Sequence, residues 1–144
     1  MKPCMILGVV VFGLLAGMEG AEAPASQEAR LEQLLDAIAK VESRANPNAV
    51  GDGGRAIGSY QIHKRYWLDG TRILGVDWTY QEAKDPAKAR EVVRAYLMHY
   101  GRDRSILEKA RIHNGGPQGH RRKATVPYAR KIARILGDSA SRPE

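Results

Sequence analysis

Glu42 is the first residue whose surroundings suggest chemistry. It follows Leu31 by eleven residues, Leu35 by seven and Ile38 by four. At about 100° per residue, these spacings put its carboxylate on an apolar helical stripe. Two effects there favour the protonated acid. Burial disfavours the anion, and the negative end of a helix dipole adds to that. The spacing therefore predicts a raised pKa. A carboxyl that keeps its proton near neutrality suits general acid catalysis on a glycosidic oxygen. The plainer alternative is that the core ends at Val41 and Glu42 reaches water.

Asp52 follows in a loop with Gly51, Gly53 and Gly54. Such a loop lets backbone approach a ligand and keeps a carboxylate in a polar setting. One carboxylate among apolar groups and one in a wet loop is the division of labour in glycosidases. One donates a proton; the other attacks or stabilises an oxocarbenium-like centre. A simple turn residue is the alternative reading of Asp52.

The elements around these residues read as mainly helical. Leu31, Leu34, Leu35, Ile38 and Val41 predict a helix over 27–44, stopped at Asn46-Pro47. Residues 50–62 are glycine-rich and then apolar, which predicts a loop with at most a short hairpin. One or two helical turns are expected over 63–68, then a loop to Thr79 that carries Trp78. The clearest helix is 85–100, with Asp85 as N-cap, Pro86 at the first position and Gly101 as the stop. A shorter helix over 105–113 closes at Asn114-Gly115-Gly116-Pro117. The last helix is expected from Thr125 to Leu136, with Gly137 ending it.

Residues 1–25 read as a signal peptide. Lys2 precedes an apolar run, Met5 to Met18, that is short for a bilayer, and small residues follow. An uncleaved anchor is the other reading. The single cysteine, Cys4, lies in this segment, so the mature chain would have no disulfide. It would also have no transmembrane segment. One domain is expected over 26–138, with a loose tail at 139–144. The net charge of +7 favours an anionic partner such as a bacterial wall. Solubility alone is the plainer account of that charge.

Two long segments carry a family resemblance. Gly58-Ser-Tyr-Gln-Ile-His-Lys-Arg-Tyr-Trp67 resembles the CGxxQIxxxYW segment of invertebrate-type, destabilase-like lysozymes. Arg111-Ile-His-Asn-Gly-Gly-Pro-Gln-Gly119 resembles that family's RIHNGGPxGC segment. The resemblance covers roughly Leu34 to Ile132. Glu42-Ser43 with Gly58 to Ile62 is also similar to the ES…GxxQ core of lytic transglycosylases and goose-type lysozymes.

The resemblance implies a small lysozyme-like domain, mainly α with some β. It implies secreted or periplasmic hydrolysis of peptidoglycan at β-1,4 bonds beside N-acetylmuramic acid, with a bacteriolytic, antimicrobial outcome. It matches Glu42 to the family's catalytic Glu, and Asp52 to its catalytic Asp with an offset of about one residue. It makes Tyr60, Gln61, His113 and Asn114 substrate-binding or supporting residues, and Ser59 beside them is a further substrate-binding candidate. The family is dense in disulfides, whereas Ile57 and His120 stand here at two cysteine positions. Three alternatives stay open: a lytic transglycosylase that uses Glu42 alone, a non-catalytic wall-binding module, and an isopeptidase involving Ser59 and His113.

Other features are plainer. Residues 114–117 also read as a helix cap and turn. Tyr66, Trp67, Trp78 and Tyr80 could stack on sugars, as substrate-binding residues, or simply fill the core. His120 to Lys123, Arg130, Lys131 and Arg134 form a basic cluster, but no nucleic-acid module accompanies it, and none is expected to bind. The four histidines lack ligand-like spacing, so no metal or cofactor is expected.

Overall fold

The computed structural model describes residues 24–140. The leader expected over 1–25 falls almost wholly outside the described residues, as do 141–144 of the tail. Among the described residues the fold is five α-helices around a small sheet. The helices are α1 (Pro24–Ser43), α2 (Lys64–Leu74), α3 (Pro86–Tyr100), α4 (Ile106–Gly115) and α5 (Val126–Ala140). The strands β1 (Val50–Gly51), β2 (Ala56–Ile57) and β3 (Ile62–His63) form an antiparallel sheet in chain order. Val50 pairs with Ile57, and Ile57 with Ile62.

The apolar stripe of α1 makes the core as its periodicity predicts. Leu34, Leu35 and Ile38 are fully buried, against Val92, Val93 and Leu97 of α3 and Ile112 of α4. Helix α1 ends earlier than Pro47 requires. Arg44 (φ 55°) and Ala45 (φ 61°) turn left-handed, and the Ala45 N–H donates back to Ala39 O at 2.9 Å. The cap of α3 is as expected, with Asp85 accepting from the N–H groups of Ala87 and Lys88.

Two helices run further than the sequence suggests. Helix α2 continues to Leu74 instead of stopping near Leu68. Gly70 is tolerated inside it because α3 packs so close that a Cβ there would lie 2.6 Å from Val92 Cγ1. The stop is Gly75, in the left-handed conformation at φ 71°. Helix α5 passes through Gly137 to Ala140. Gly137 is not at positive φ, so it supplies no stop, and the tail begins later than residue 139.

Cross-helix ion pairs add to the packing. Arg90 of α3 reaches Glu32 Oε2 and Asp36 Oδ1 of α1, each at 2.6 Å. Arg94 reaches Glu28 and Glu32. These pairs fix α1 against α3 and so hold Glu42 at its end of the helix.

Candidate functional site

A cleft of about 1000 Å³ opens between the sheet, α2 and the α4–α5 connection. Glu42 and Asp52 both line it. Glu42 comes from the last turn of α1, with a side chain 20% exposed. Its Oε1 lies 3.6 Å from Nε2 of His113, a side chain only 4% exposed. Nδ1 of the same ring meets the Tyr66 hydroxyl at 3.2 Å. Burial holds the Tyr66 phenol protonated, well above its ordinary range. It meets Nδ1 of the ring and leaves Nε2 to face Glu42. Tyr128 of α5 closes the other side. Its hydroxyl is buried, lacks a partner of regular geometry and faces the Glu42 carboxylate.

The expected raised pKa of Glu42 is overturned. Burial does push it up, and this is the largest single effect. The His113 hydrogen bond and charge, the Tyr128 hydroxyl and the Lys131 charge together outweigh it, and the result lies below the ordinary carboxylate value. Helical spacing shows the desolvation but not partners brought in by α4 and α5.

Asp52 is more exposed, at 44%. It sits in a short 3₁₀ turn with φ 51°, an uncommon conformation for a residue with a side chain. Arg55 holds Oδ1 at 2.7 Å and His63 Nε2 lies 3.2 Å from Oδ2. The wet glycine loop is therefore real, and two basic side chains orient its carboxylate.

Gln61, Tyr66, His113 and Asn114 line the cleft with the two carboxylates. Gln61 has φ 48°, and its amide donates to Gly58 O at 3.1 Å. Ser59, Tyr60 and Trp67 lie elsewhere, each buried in the core. Ser59 O accepts from the Ser43 hydroxyl at 2.8 Å, tying the end of α1 to the loop. Tyr60 Oη accepts from Arg90 at 3.2 Å, and Trp67 donates to Trp78 O at 3.1 Å. Much of the first motif is therefore scaffold. The Ser59 hydroxyl donates to Ala45 O at 3.4 Å, whereas His113 is engaged with Glu42 and Tyr66, so the two do not form a nucleophile–base pair.

The second motif divides the same way. Arg111 donates to Thr125 Oγ1 and Arg122 O, which braces the α4–α5 connection. A Cβ on Gly119 would lie 2.0 Å from Arg111 O, so only glycine lets that connection close. His113 and Asn114 are the residues it presents to the cleft. The cleft also takes in Arg65, Leu68, Asp69 and Arg72 of α2, and Tyr96 and Tyr100 of α3. Sequence reasoning missed Asp69 and Arg72 because it ended α2 at Leu68. A continued helical pattern would have aligned Arg65, Leu68, Asp69 and Arg72 on one face.

The helical frame, the small sheet and the carboxylate-lined cleft define a lysozyme-like fold. The backbone matches a chain of a crystal structure titled as Aeromonas hydrophila PliI in complex with Meretrix lusoria lysozyme. The TM-score is 0.64 at 28% identity, covering 77% of this chain and 94% of that one. Residues 31–135 match the Destabilase family model, and the chain belongs to that family. It is 35% identical over 107 residues to Lysozyme 1 of Crassostrea virginica, covering 70% of this chain and 57% of the relative. It is 30% identical over 112 residues to a lysozyme of Meretrix lusoria, covering 74% and 90%. The chain thus spans little more than half of the oyster relative and most of the clam one.

Proposed function

We propose that this protein is a secreted or periplasmic lysozyme-type hydrolase. Its substrate would be peptidoglycan, cut at β-1,4 bonds between N-acetylmuramic acid and N-acetylglucosamine. The observation that carries the reading is the partly buried Glu42 carboxylate in the cleft wall, against the imidazole of His113. Relatives named lysozyme support the activity. The net charge of +7 suits an anionic wall. Residues 1–25 would direct export, and 26–138 would form the catalytic domain.

In this mechanism Glu42 protonates the leaving oxygen. Substrate that displaces water from the cleft disfavours the anion and moves the lowered Glu42 towards the protonated, donating form. Asp52, aimed by Arg55 and His63, attacks or stabilises the oxocarbenium-like centre. Glu42→Gln should abolish release of reducing ends from isolated bacterial walls while the protein stays folded by circular dichroism. Wild-type turnover in that variant would overturn the reading.

One observation favours a second reading. Asp52 is tied to two basic groups and stands half exposed, poor conditions for a nucleophile. A lytic transglycosylase needs only the Glu42 acid. Near-normal rates in Asp52→Asn, with products lighter by one water on mass spectrometry, would select it.

A further inference from the structure

The excess charge of the chain is not spread over its surface. Residues 110–137 hold seven basic side chains and no acidic one, while the rest of the chain is balanced at sixteen basic against sixteen acidic residues. The whole net charge of +7 therefore comes from the end of α4, the α4–α5 connection and α5. Arg111 is turned inward, to Thr125 and Arg122 O. Arg121, Arg122 and Lys123 of the connection, and Arg130, Lys131 and Arg134 of α5, are exposed. Elsewhere the cations are matched, Arg55 by Asp52, Lys88 by Glu82 and Arg90 by Glu32 and Asp36. Among the described residues, none of these six has a carboxylate within ion-pair distance. Arg130 and Arg134 stand four residues apart on α5, a spacing at which like charges repel and destabilise a helix.

The basic face adjoins the cleft. Arg122 lines the cleft wall, and the charge of Lys131 is felt at Glu42. Arg121, Lys123, Arg130 and Arg134 are not among the cleft-lining residues. Solubility is served by charges of both signs interspersed, whereas a field of one sign draws in and holds a polyanion. Four of the six are arginines, whose planar fork takes a phosphate by paired hydrogen bonds. The exposed large apolar side chains are Val50, Leu68, Met98 and Leu107, all outside residues 121–134. The face therefore has nothing to stack on a nucleobase or to enter a bilayer. What fits it is a polyanion held by charge and reached directly from a strand in the cleft.

We infer that Arg121, Arg122, Lys123, Arg130, Lys131 and Arg134 form a second binding face, beside the cleft, for a linear phosphodiester polymer of the bacterial wall. The choice of partner rests on the proposed wall-lytic reading. Phosphates repeated along one polymer engage several of these cations at once. Such multiple attachment keeps the enzyme on the wall while the cleft binds and leaves individual strands.

The test compares binding to isolated walls that carry a phosphodiester polymer with binding to the same walls stripped of it by hydrogen fluoride. Glu42→Gln is the background, so that the walls are not consumed. Arg121→Gln, Lys123→Gln, Arg130→Gln and Arg134→Gln are added together, and Arg122 and Lys131 are left because they adjoin the cleft. At low salt the fourfold variant should bind intact walls about tenfold more weakly, as the loss of several phosphate contacts does. The difference should vanish on stripped walls, and also in ~1 M salt, where the screening length falls to about 3 Å. Soluble polyglycerol phosphate should release the parent protein from intact walls. Arg130→Gln with Arg134→Gln alone should show a smaller loss of the same kind, should the fourfold variant fold poorly. Unchanged affinity for intact walls, or an equal loss on stripped walls, overturns the inference. So does tighter binding to DNA or to phosphatidylglycerol vesicles than to polyglycerol phosphate. With Glu42 restored, the fourfold variant should cut stripped walls at the wild-type rate. Failure of the wild-type protein to release reducing ends from either wall overturns the lytic reading alone, because binding is measured without turnover.

Discussion

Replacing His113 by Gln tests the electrostatic core of the site. The amide keeps a donor near Glu42 and removes the charge. With Nε2 and Oε1 3.6 Å apart, a full imidazolium–carboxylate attraction is about 4–5 kcal/mol at an effective dielectric near 20. Both groups are largely buried, so lost hydration offsets much of that gross figure. A remainder of about 1.4 kcal/mol is a factor of ten in the protonation balance. The sign follows from the partners. Glu42 is pushed up by burial and held down chiefly by His113. Without the imidazolium, Glu42 should keep its proton to higher pH. The basic limb of the kcat/KM profile for wall lysis should then move alkaline, with roughly tenfold more activity, relative to the maximum, at a pH on the wild-type limb. The position of the limb is the readout, because the substitution also alters a cleft-lining side chain and so lowers the maximum. A limb that stays in place, or moves acidic, refutes the pairing.

Three further outcomes follow from the same geometry. Gly51→Ala should spare the fold, since φ −134° suits alanine, but its Cβ would lie 2.2 Å from Gln61 Oε1. It should cost about 1 kcal/mol through the displaced Gln61 amide and lower lysis further than that loss of folded protein explains; unchanged lysis at a temperature well below the melt counts against a cleft role for Gln61. Gly58→Ala should destabilise by more than about 2 kcal/mol, because φ is 78° and the Cβ would meet Ala83 O at 2.1 Å; a melting temperature within a degree or two of wild type counts against the close approach. Glu42→Gln should change the pH dependence of stability. A carboxyl whose folded pKa is lowered stabilises the fold above its unfolded pKa and loses that contribution as pH falls through the folded value. Wild type and Glu42→Gln should therefore differ most near neutrality and converge in acid, as read by urea denaturation; a constant difference across pH refutes the lowered value.

Local pattern carried the frame. The α1 stripe, the Asp85 cap with Pro86, and the glycine-rich turn around Asp52 are decided by neighbours a few residues away, so spacing reveals them. What local pattern does not carry is the identity of the groups that face one another across the cleft. Tyr66 and His113 are 47 residues apart and meet at 3.2 Å. Tyr100 and Asp69 are 31 apart and meet at 2.5 Å. Gly70 weakens the local helical signal of α2, whereas tight packing on Val92 makes glycine a requirement there. The family motifs located the right segments without saying which residues point where. Ser59 and Tyr60 fasten the loop to α1 and Arg90, and of residues 59–61 Gln61 alone lines the cleft.

The position of Glu42 therefore has two separate causes. Its own helix decides that the carboxylate is partly desolvated, and other elements decide what that desolvation accomplishes. Burial alone would push this acid up. Beside the His113 ring, the Tyr128 hydroxyl and the Lys131 charge it is held below the ordinary carboxylate value instead. Tyr66 fixes which ring nitrogen faces the acid, and the Tyr66–Tyr96 stack fixes Tyr66. The environment of one carboxylate of α1 is thus set by α2, α3, α4 and α5 together. A change as remote as Tyr96 should reach the chemistry through the orientation of the imidazole.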